Sequence, residues 1–137
     1  MTMIQVVAHL CDLQQAFATA SQHTHSGGFW LIETWNYKSW IAQLLGAHWH
    51  EYSPPSVLHW FSPNSLAQFA ARYGFKEIDR GRPAKFIKSA HAKSLLRYKL
   101  QHLPAGKLLL KAIALIPDHW RIPYPAEDLF WILLQKQ

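Results

Sequence analysis

The chain has 137 residues, half of them hydrophobic and 16% charged, which predicts one globular domain with a sizeable core and excludes an intrinsically disordered chain. Its net charge is +6, and Cys11 is its only cysteine, so an intramolecular disulfide is excluded. There is no signal-peptide pattern and no apolar run of membrane-spanning length, and we therefore expect a cytoplasmic protein.

The first elements predict a strand, a helix and a second strand. The stretch "MIQVVAH" at 3–9 is typical of a strand, and Asp12, followed by Gln15, is a typical N-cap for a helix over "LQQAFATASQ". The glycine pair at 27–28 turns the chain into the apolar run "FWLIE" at 29–33. This order predicts a βαβ unit with parallel strands.

Helices and loops alternate in the middle of the chain. "KSWIAQLLG" at 38–46 predicts a short helix that ends at Gly46, and the His- and aromatic-rich stretch at 47–61 predicts an ordered loop. Ser62 and Pro63 are typical of a helix start, and Gly74 of its end. "FKEID" at 75–79 predicts a strand, 85–116 predicts basic helices, and "LFWILLQ" at 129–135 predicts the last strand.

The positive charge is concentrated between Arg82 and Lys111, where eight Lys and Arg occur without any Asp or Glu. A solvated helix face is one interpretation, and an anionic membrane surface or an anionic substrate is another. Nucleic acid is not expected as a partner, because no zinc-finger, RNP or helix-turn-helix pattern accompanies the charge.

Several motifs, in this order, resemble the second half of class I S-adenosylmethionine-dependent methyltransferases of the quinone-biosynthesis-like kind. They are "VVAH" at 6–9, Asp12, "SGG" at 26–28, "ETWN" at 33–36, "PPSVLHWFSP" at 54–63 and "ARYGF" at 71–75. The sequence departs from that family at Ala8, where the family has glutamate, at Trp35, where it has proline, and at Ser56 and Val57, where it has an Arg-His pair.

The resemblance implies an α/β fold with a partial Rossmann-like sheet, made of the fourth to seventh strands of the methyltransferase fold and their flanking helices. It implies a single domain over 1–137, with the clear resemblance at 1–79 and a basic helical segment and final strand at 80–137. The glycine-rich loop and the ribose-binding carboxylate of the family's first half have no counterpart in this sequence. The implied cofactor is S-adenosylmethionine, but we do not expect this chain to bind it alone.

Two functions follow from this resemblance. The first is the substrate-side half of a methyltransferase, which would be inactive without a cofactor-binding half. The alternative is a non-catalytic remnant or interaction module with a basic surface.

Four polar residues are candidates for the site. His9, at the predicted end of the first strand, would line the cofactor or polarise a substrate, or else bond to nearby backbone. Glu33 and Asn36 end the second predicted strand, and would face substrate or cap the following helix. His59 would line the substrate cleft or pack among its aromatic neighbours.

A metal site is not predicted. His48 and His50 have the spacing that lets two side chains of a strand face the same way, so both could bind zinc, and Cys11 or His59 could join them. A His-x-His pattern without paired cysteines is, however, a weak indication of a metal site.

The first strand predicts a partner. In the complete family fold this strand lies inside the sheet, beside the family's first strand, for which this sequence has no counterpart. We therefore expect an open edge that self-associates or pairs with a separate chain carrying the N-terminal half.

Overall fold

The structure is a computed structural model that describes residues 1–89, 93, 117, 121–124 and 127–137. It divides the chain into two compact units. The first contains residues 1–83 and 126–137, and the second contains residues 84–125. The single domain inferred from the sequence stays a prediction.

The first unit is an α/β structure built on a four-stranded mixed sheet. The strands of the described residues are β1 (Thr2–Ile4), β2 (Phe29–Trp35), β3 (Phe75–Gly81), β4 (Lys85–Lys88), β5 (Arg121–Tyr124) and β6 (Leu129–Lys136). The sheet has the order β1-β2-β6-β3. Strands β1 and β2 are parallel, which confirms the predicted βαβ unit, and β6 is antiparallel to both of its neighbours.

Three helices lie within the described residues, and two of them begin at the N-caps that the sequence predicts, Asp12 and Ser62. The three helices are α1 (Leu13–Gln22), α2 (Trp40–Leu45) and α3 (Pro63–Ala71). The Asp12 carboxylate accepts a hydrogen bond from the Gln15 amide at 2.8 Å, and the Ser39 side chain accepts one from the Ala42 amide. Ser62 forms a capping box with Ser65, which closes the start of α3. These three helix starts are therefore fixed by local side-chain chemistry.

The core lies on one face of the sheet, under α1 and α3. Strand positions that alternate along β2 and β6 point to this face, and Trp30 and Ile32 are completely buried there opposite Leu134 and Ile132. The Phe17 ring of α1 meets the Trp30 ring edge to face, with ring centroids 5.4 Å apart. This ring contact packs α1 against β2.

The prediction of a strand at 3–9 is wrong after Ile4. Gln5 has a φ of +57°, which ends the extended backbone, and a 3-10 turn follows at Val7–His9. Val7 is completely buried and belongs to the core. The apolar run therefore reflects burial inside a turn and not strand pairing.

The prediction of helix from residue 85 is wrong at its start. Residues Lys85–Lys88 form β4, which pairs antiparallel with β5 at Arg121–Tyr124. The pairing partner lies more than thirty residues downstream, so no local pattern could indicate it. The rest of the predicted basic helical segment, apart from isolated positions, lies outside the described residues.

The last strand is confirmed and holds the sheet together. It was predicted at 129–135 and extends over Leu129–Lys136, between β2 and β3. Strand β3 likewise covers the predicted 75–79 and continues to Gly81. Both strands are longer than their sequence patterns, because β6 pairs with the whole of β2 and with most of β3.

Candidate functional site

The candidate site lies where β1 and β2 end and β6 begins. The Asn36 amide donates to the Asp128 carbonyl at 2.6 Å, and the Tyr37 amide donates to the Phe61 carbonyl at 3.0 Å. These bonds place residues from three distant stretches of chain at one edge of the sheet. Ligands of open α/β folds bind at the carboxyl ends of parallel strands, so this edge is the natural place for a site.

An aromatic pocket, here called the rim pocket, lies at this edge. It has a volume of about 340 Å³ and is lined by Tyr37, Ala42, Gln43, Gly46, Trp49, Tyr52 and Trp60. The Tyr52 and Trp60 rings stack with their centroids 5.1 Å apart. The volume is in the range of small-molecule sites, and the lining is mainly aromatic.

Two indole hydrogen bonds hold the walls of the rim pocket. Trp49 donates from Nε1 to Oδ2 of Asp128 at 3.0 Å, and both residues are almost completely buried. Trp60 donates from Nε1 to the Glu51 carbonyl at 2.9 Å. Each indole N–H has a partner, so both rings can be buried without an unsatisfied donor.

A small group of ionisable side chains lies beside the rim pocket. His50 Nε2 is 3.5 Å from Oε1 of Glu51, and His50 Nδ1 is 4.0 Å from Oδ2 of Asp128. Burial raises the pKa of the Glu51 carboxyl; His50 and His9 oppose this shift and Asp128 adds to it. The Trp35 ring meets the His50 ring edge to face at 4.7 Å.

His9 and His59 connect the turn after β1 to the loop that follows α2. The His9 ring is exposed, and its Nδ1 lies 2.6 Å from the Ser56 carbonyl. The His59 ring is half-buried, and its Nε2 lies 2.9 Å from the Leu10 carbonyl. The structure thus brings these two candidates to the same junction, where each ring bonds to backbone.

Glu33 and Asn36 point to different environments. Glu33 lies inside β2, is 8% exposed, and accepts a hydrogen bond from the Gln5 side chain at 3.1 Å. It lines a second pocket of about 310 Å³, on the sheet face away from α1 and α3, with Ile4, Leu31 and Trp131. Asn36 is partly exposed, and its Oδ1 accepts a hydrogen bond from the Lys38 amide in the turn before α2.

Sequence reasoning missed the residues that form the rim pocket. The candidates include neither Trp49, which lines the pocket, nor Glu51 and Asp128, which lie beside it, although the stretch at 47–61 is rich in aromatic residues and histidine. That content is the one sequence signal for the pocket. The contact between Trp49 and Asp128 joins residues 79 positions apart, and no local pattern indicates it.

Among the residues that the structure describes, no three His, Cys, Asp or Glu side chains come together as a metal site. Within the same residues, none of the helices combines the length and the apolar character needed to cross a bilayer.

The comparisons with known proteins rest on structure alone. No family model matches the sequence, and no curated protein matches it. A SAM-dependent methyltransferase of Thermotoga maritima, described as a possible histamine N-methyltransferase, superposes with a TM-score of 0.54 at 12% identity over 99% of this chain and 54% of its own. A SAM-dependent methyltransferase from Archaeoglobus fulgidus superposes with a TM-score of 0.51 at 15% identity over 98% of this chain and 57% of its own.

These likenesses concern the fold, and they cover only part of each neighbour. The chain spans about half the length of the solved structures that it matches. Its mixed sheet with helices packed on it is thus shared with methyltransferases of widely different sequence. The chain has, over that length, the α/β fold of the class I SAM-dependent methyltransferases.

Proposed function

We propose that this chain is a methyltransferase-like protein that provides the substrate-side half of the fold and depends on a cofactor-binding half for activity. The observation that carries the proposal is the structural match, which uses nearly all of this chain and about half of each neighbour. The sequence itself adds that no glycine-rich loop follows a strand near its start. Within this proposal, His9 faces the cofactor side, and Glu33, Asn36 and His59 face the substrate.

In this proposal β1, β2, β3 and β6 correspond to the fourth to seventh strands of the family sheet. The place of β1 supports this assignment, because β1 is at one edge of the sheet and pairs only with β2 among the described strands. The family resemblance puts a further strand beside it. The missing half would therefore join the sheet along β1.

The chemistry of the β1 edge supports such pairing. The Gln5 amide donates to the Glu33 carbonyl of β2. Because the amides of successive strand residues point to opposite sides of the strand, the Ile4 amide points away from β2. Ile4 and Val6 are 46% and 45% exposed. The second pocket, which Ile4 and Glu33 line, lies on the adjoining sheet face.

The opposite edge of the sheet differs in charge. Strand β3 has the sequence "FKEIDRG", in which four of the seven residues are charged, whereas β1 has the sequence "TMI" and no charged side chain. Charged side chains are the usual protection of an edge strand against pairing. Association is therefore expected along β1 and not along β3.

A pair of matched substitutions tests this expectation. Ile4→Lys should abolish concentration-dependent self-association measured by light scattering, whereas Ile78→Lys, at a position of nearly equal exposure on β3, should leave it unchanged. Hydrogen exchange at the Ile4 amide should slow as the chain associates. A wild-type chain that is monomeric at tens of micromolar, with slow exchange at Ile4, would contradict the open edge.

Cofactor binding tests the other part of the proposal. Each charge-assisted hydrogen bond that the glycine loop and ribose carboxylate would supply is worth about 1.5–3 kcal/mol, so their absence weakens binding by orders of magnitude. Isothermal titration of the purified chain with S-adenosylmethionine should show no micromolar affinity. A micromolar dissociation constant would mean that the cofactor site is complete in this chain.

We also propose that the basic segment between Arg82 and Lys111 faces an anionic membrane surface. Its residues beyond 89 lie almost entirely outside the described part of the chain, and the proposal rests on its sequence. Each basic residue near an anionic bilayer contributes about 1 kcal/mol at low salt. Co-sedimentation with phosphatidylserine vesicles at low salt, lost at high salt, is the expected result; no sedimentation at low salt would leave a solvated surface.

A further inference from the structure

We infer that the rim pocket binds an organic cation, with a substituted ammonium group held against its aromatic walls. That this cation is the methyl acceptor would rest on the proposed function, whereas the binding of the cation does not. Four of the seven lining residues are aromatic, and two of these are tryptophans, whose ring faces attract cations most strongly.

Among the residues that the structure describes, no charged side chain lines the pocket and would compete for the ligand. Besides the four aromatic residues, the walls consist of Ala42, Gly46 and the amide of Gln43. A cation that loses its hydration water in this pocket gains contacts with the faces of the aromatic rings. The carboxamide oxygen of Gln43 can accept a hydrogen bond from it. The pocket volume of about 340 Å³ leaves room for a substituted ammonium group and a short polar arm.

A carboxylate lies at one wall of the pocket. The Trp49 indole donates to Oδ2 of Asp128, whereas the Trp60 indole donates to the backbone carbonyl of Glu51 and does not place that side chain. Asp128 is 3% exposed and is therefore poorly screened by water. Buried negative charge behind aromatic rings favours a cationic occupant over an anionic one, although the whole chain has a net charge of +6.

The ionisable groups around the pocket have different effects on such a ligand. His50 lies between Glu51 and Asp128 and is half-exposed, so its protonation would reduce the attraction. The ammonium of Lys38 lies 5.8 Å from the centroid of the Tyr37 ring. Lys38 is exposed, and its charge opposes a second cation at the pocket.

The test uses choline and its neutral isostere, in which a carbon replaces the quaternary nitrogen. Binding is followed by NMR on the purified chain, through the indole N–H signals of Trp49 and Trp60, without S-adenosylmethionine. We expect saturable binding of choline, with the neutral isostere about 10-fold weaker, since a cation–π contribution corresponds to about 2- to 30-fold in affinity.

Variants separate the pocket from the rest of the surface. Tyr52→Leu removes an exposed lining ring and should weaken choline binding several-fold, whereas Trp40→Leu, at a similarly exposed tryptophan that does not line the pocket, should leave it unchanged. Lys38→Gln should strengthen choline binding and leave the isostere unaffected. The control for each variant is an NMR spectrum of the free protein, which should show that the variant is folded.

Three outcomes overturn the inference: equal affinity for choline and the isostere, no saturable binding up to tens of millimolar, or an equal loss in Tyr52→Leu and Trp40→Leu. The two proposals fail separately. Choline binding together with micromolar binding of S-adenosylmethionine would contradict only the half-fold proposal. A chain that associates along β1 and does not bind choline would contradict only this inference.

Discussion

The Trp49→Phe substitution should destabilise the protein more than the chemically identical Trp60→Phe substitution. Both remove an indole N–H and a similar ring volume from the same pocket. Trp49 donates to a carboxylate that is 3% exposed, whereas Trp60 donates to a backbone carbonyl. A hydrogen bond to a charged group contributes about 1.5–3 kcal/mol and a neutral one about 0.5–1.5 kcal/mol.

The hydrogen bonds therefore contribute a difference of about 1 kcal/mol or more between the two variants, and the lost ring volume adds to it because Trp49 is buried and Trp60 is half-buried. Urea unfolding followed by near-ultraviolet circular dichroism measures the free energy of unfolding of both variants and the wild type. In an Asp128→Asn background the charge is gone, and the cost of Trp49→Phe should fall toward that of Trp60→Phe. Equal costs in the wild-type background, with no coupling to Asp128, would refute the reasoning.

Three further predictions concern stability. Burial raises the pKa of Glu51 above its ordinary value of 4.5, so its contribution to stability is favourable below that value and is lost as the pH rises through the folded-state pKa. Glu51→Gln should thus stabilise the chain at pH 7, with the gain shrinking toward pH 4.5, in unfolding curves recorded across that range; a gain independent of pH would contradict this. Gly81→Ala should cost about 1–3 kcal/mol by thermal unfolding, because an added Cβ would lie 2.6 Å from the Trp131 ring; no loss would show that the ring moves aside freely. Ser62→Ala should cost about 0.5–2 kcal/mol by urea unfolding, and retention of full stability would mean that the capping box contributes nothing.

The helices were predictable because their signals are local. Asp12, Ser62 and Pro63 each act within three residues of the helix that they begin, and α1 has the predicted sequence "LQQAFATASQ". The parallel pairing of β1 with β2 followed from the short strand–helix–strand order. For these elements, the order of the elements along the chain and the capping residues were enough to predict the local structure.

Strand bounds depended on partners that the sequence does not reveal. The end of β1 is set by the positive φ of Gln5, a residue type that rarely adopts this conformation. Strand β4 exists because β5, far along the chain, pairs with it. A local pattern reports the burial of a segment but not which distant segment buries it.

The candidate site was partly visible in the sequence. His9 and His59 were singled out, and they meet at one junction through the backbone, each with a main-chain hydrogen-bond partner. The rim pocket was visible only as an aromatic-rich stretch, because its acidic backing comes from Asp128 in a different region. Composition can indicate the wall of a pocket, whereas its charge is set by tertiary contacts.

The ion pair between Arg82 and Glu127 has a consequence for the design of shorter chains. These residues flank the second unit on either side, and Arg82 Nη2 is 3.6 Å from Oε1 of Glu127. The path of the chain therefore leaves the four-stranded sheet and returns to it at nearly the same point. A cassette of some forty residues could be excised between 83 and 126 and replaced by a short glycine-serine bridge, or exchanged for a foreign module, without pulling β3 away from β6.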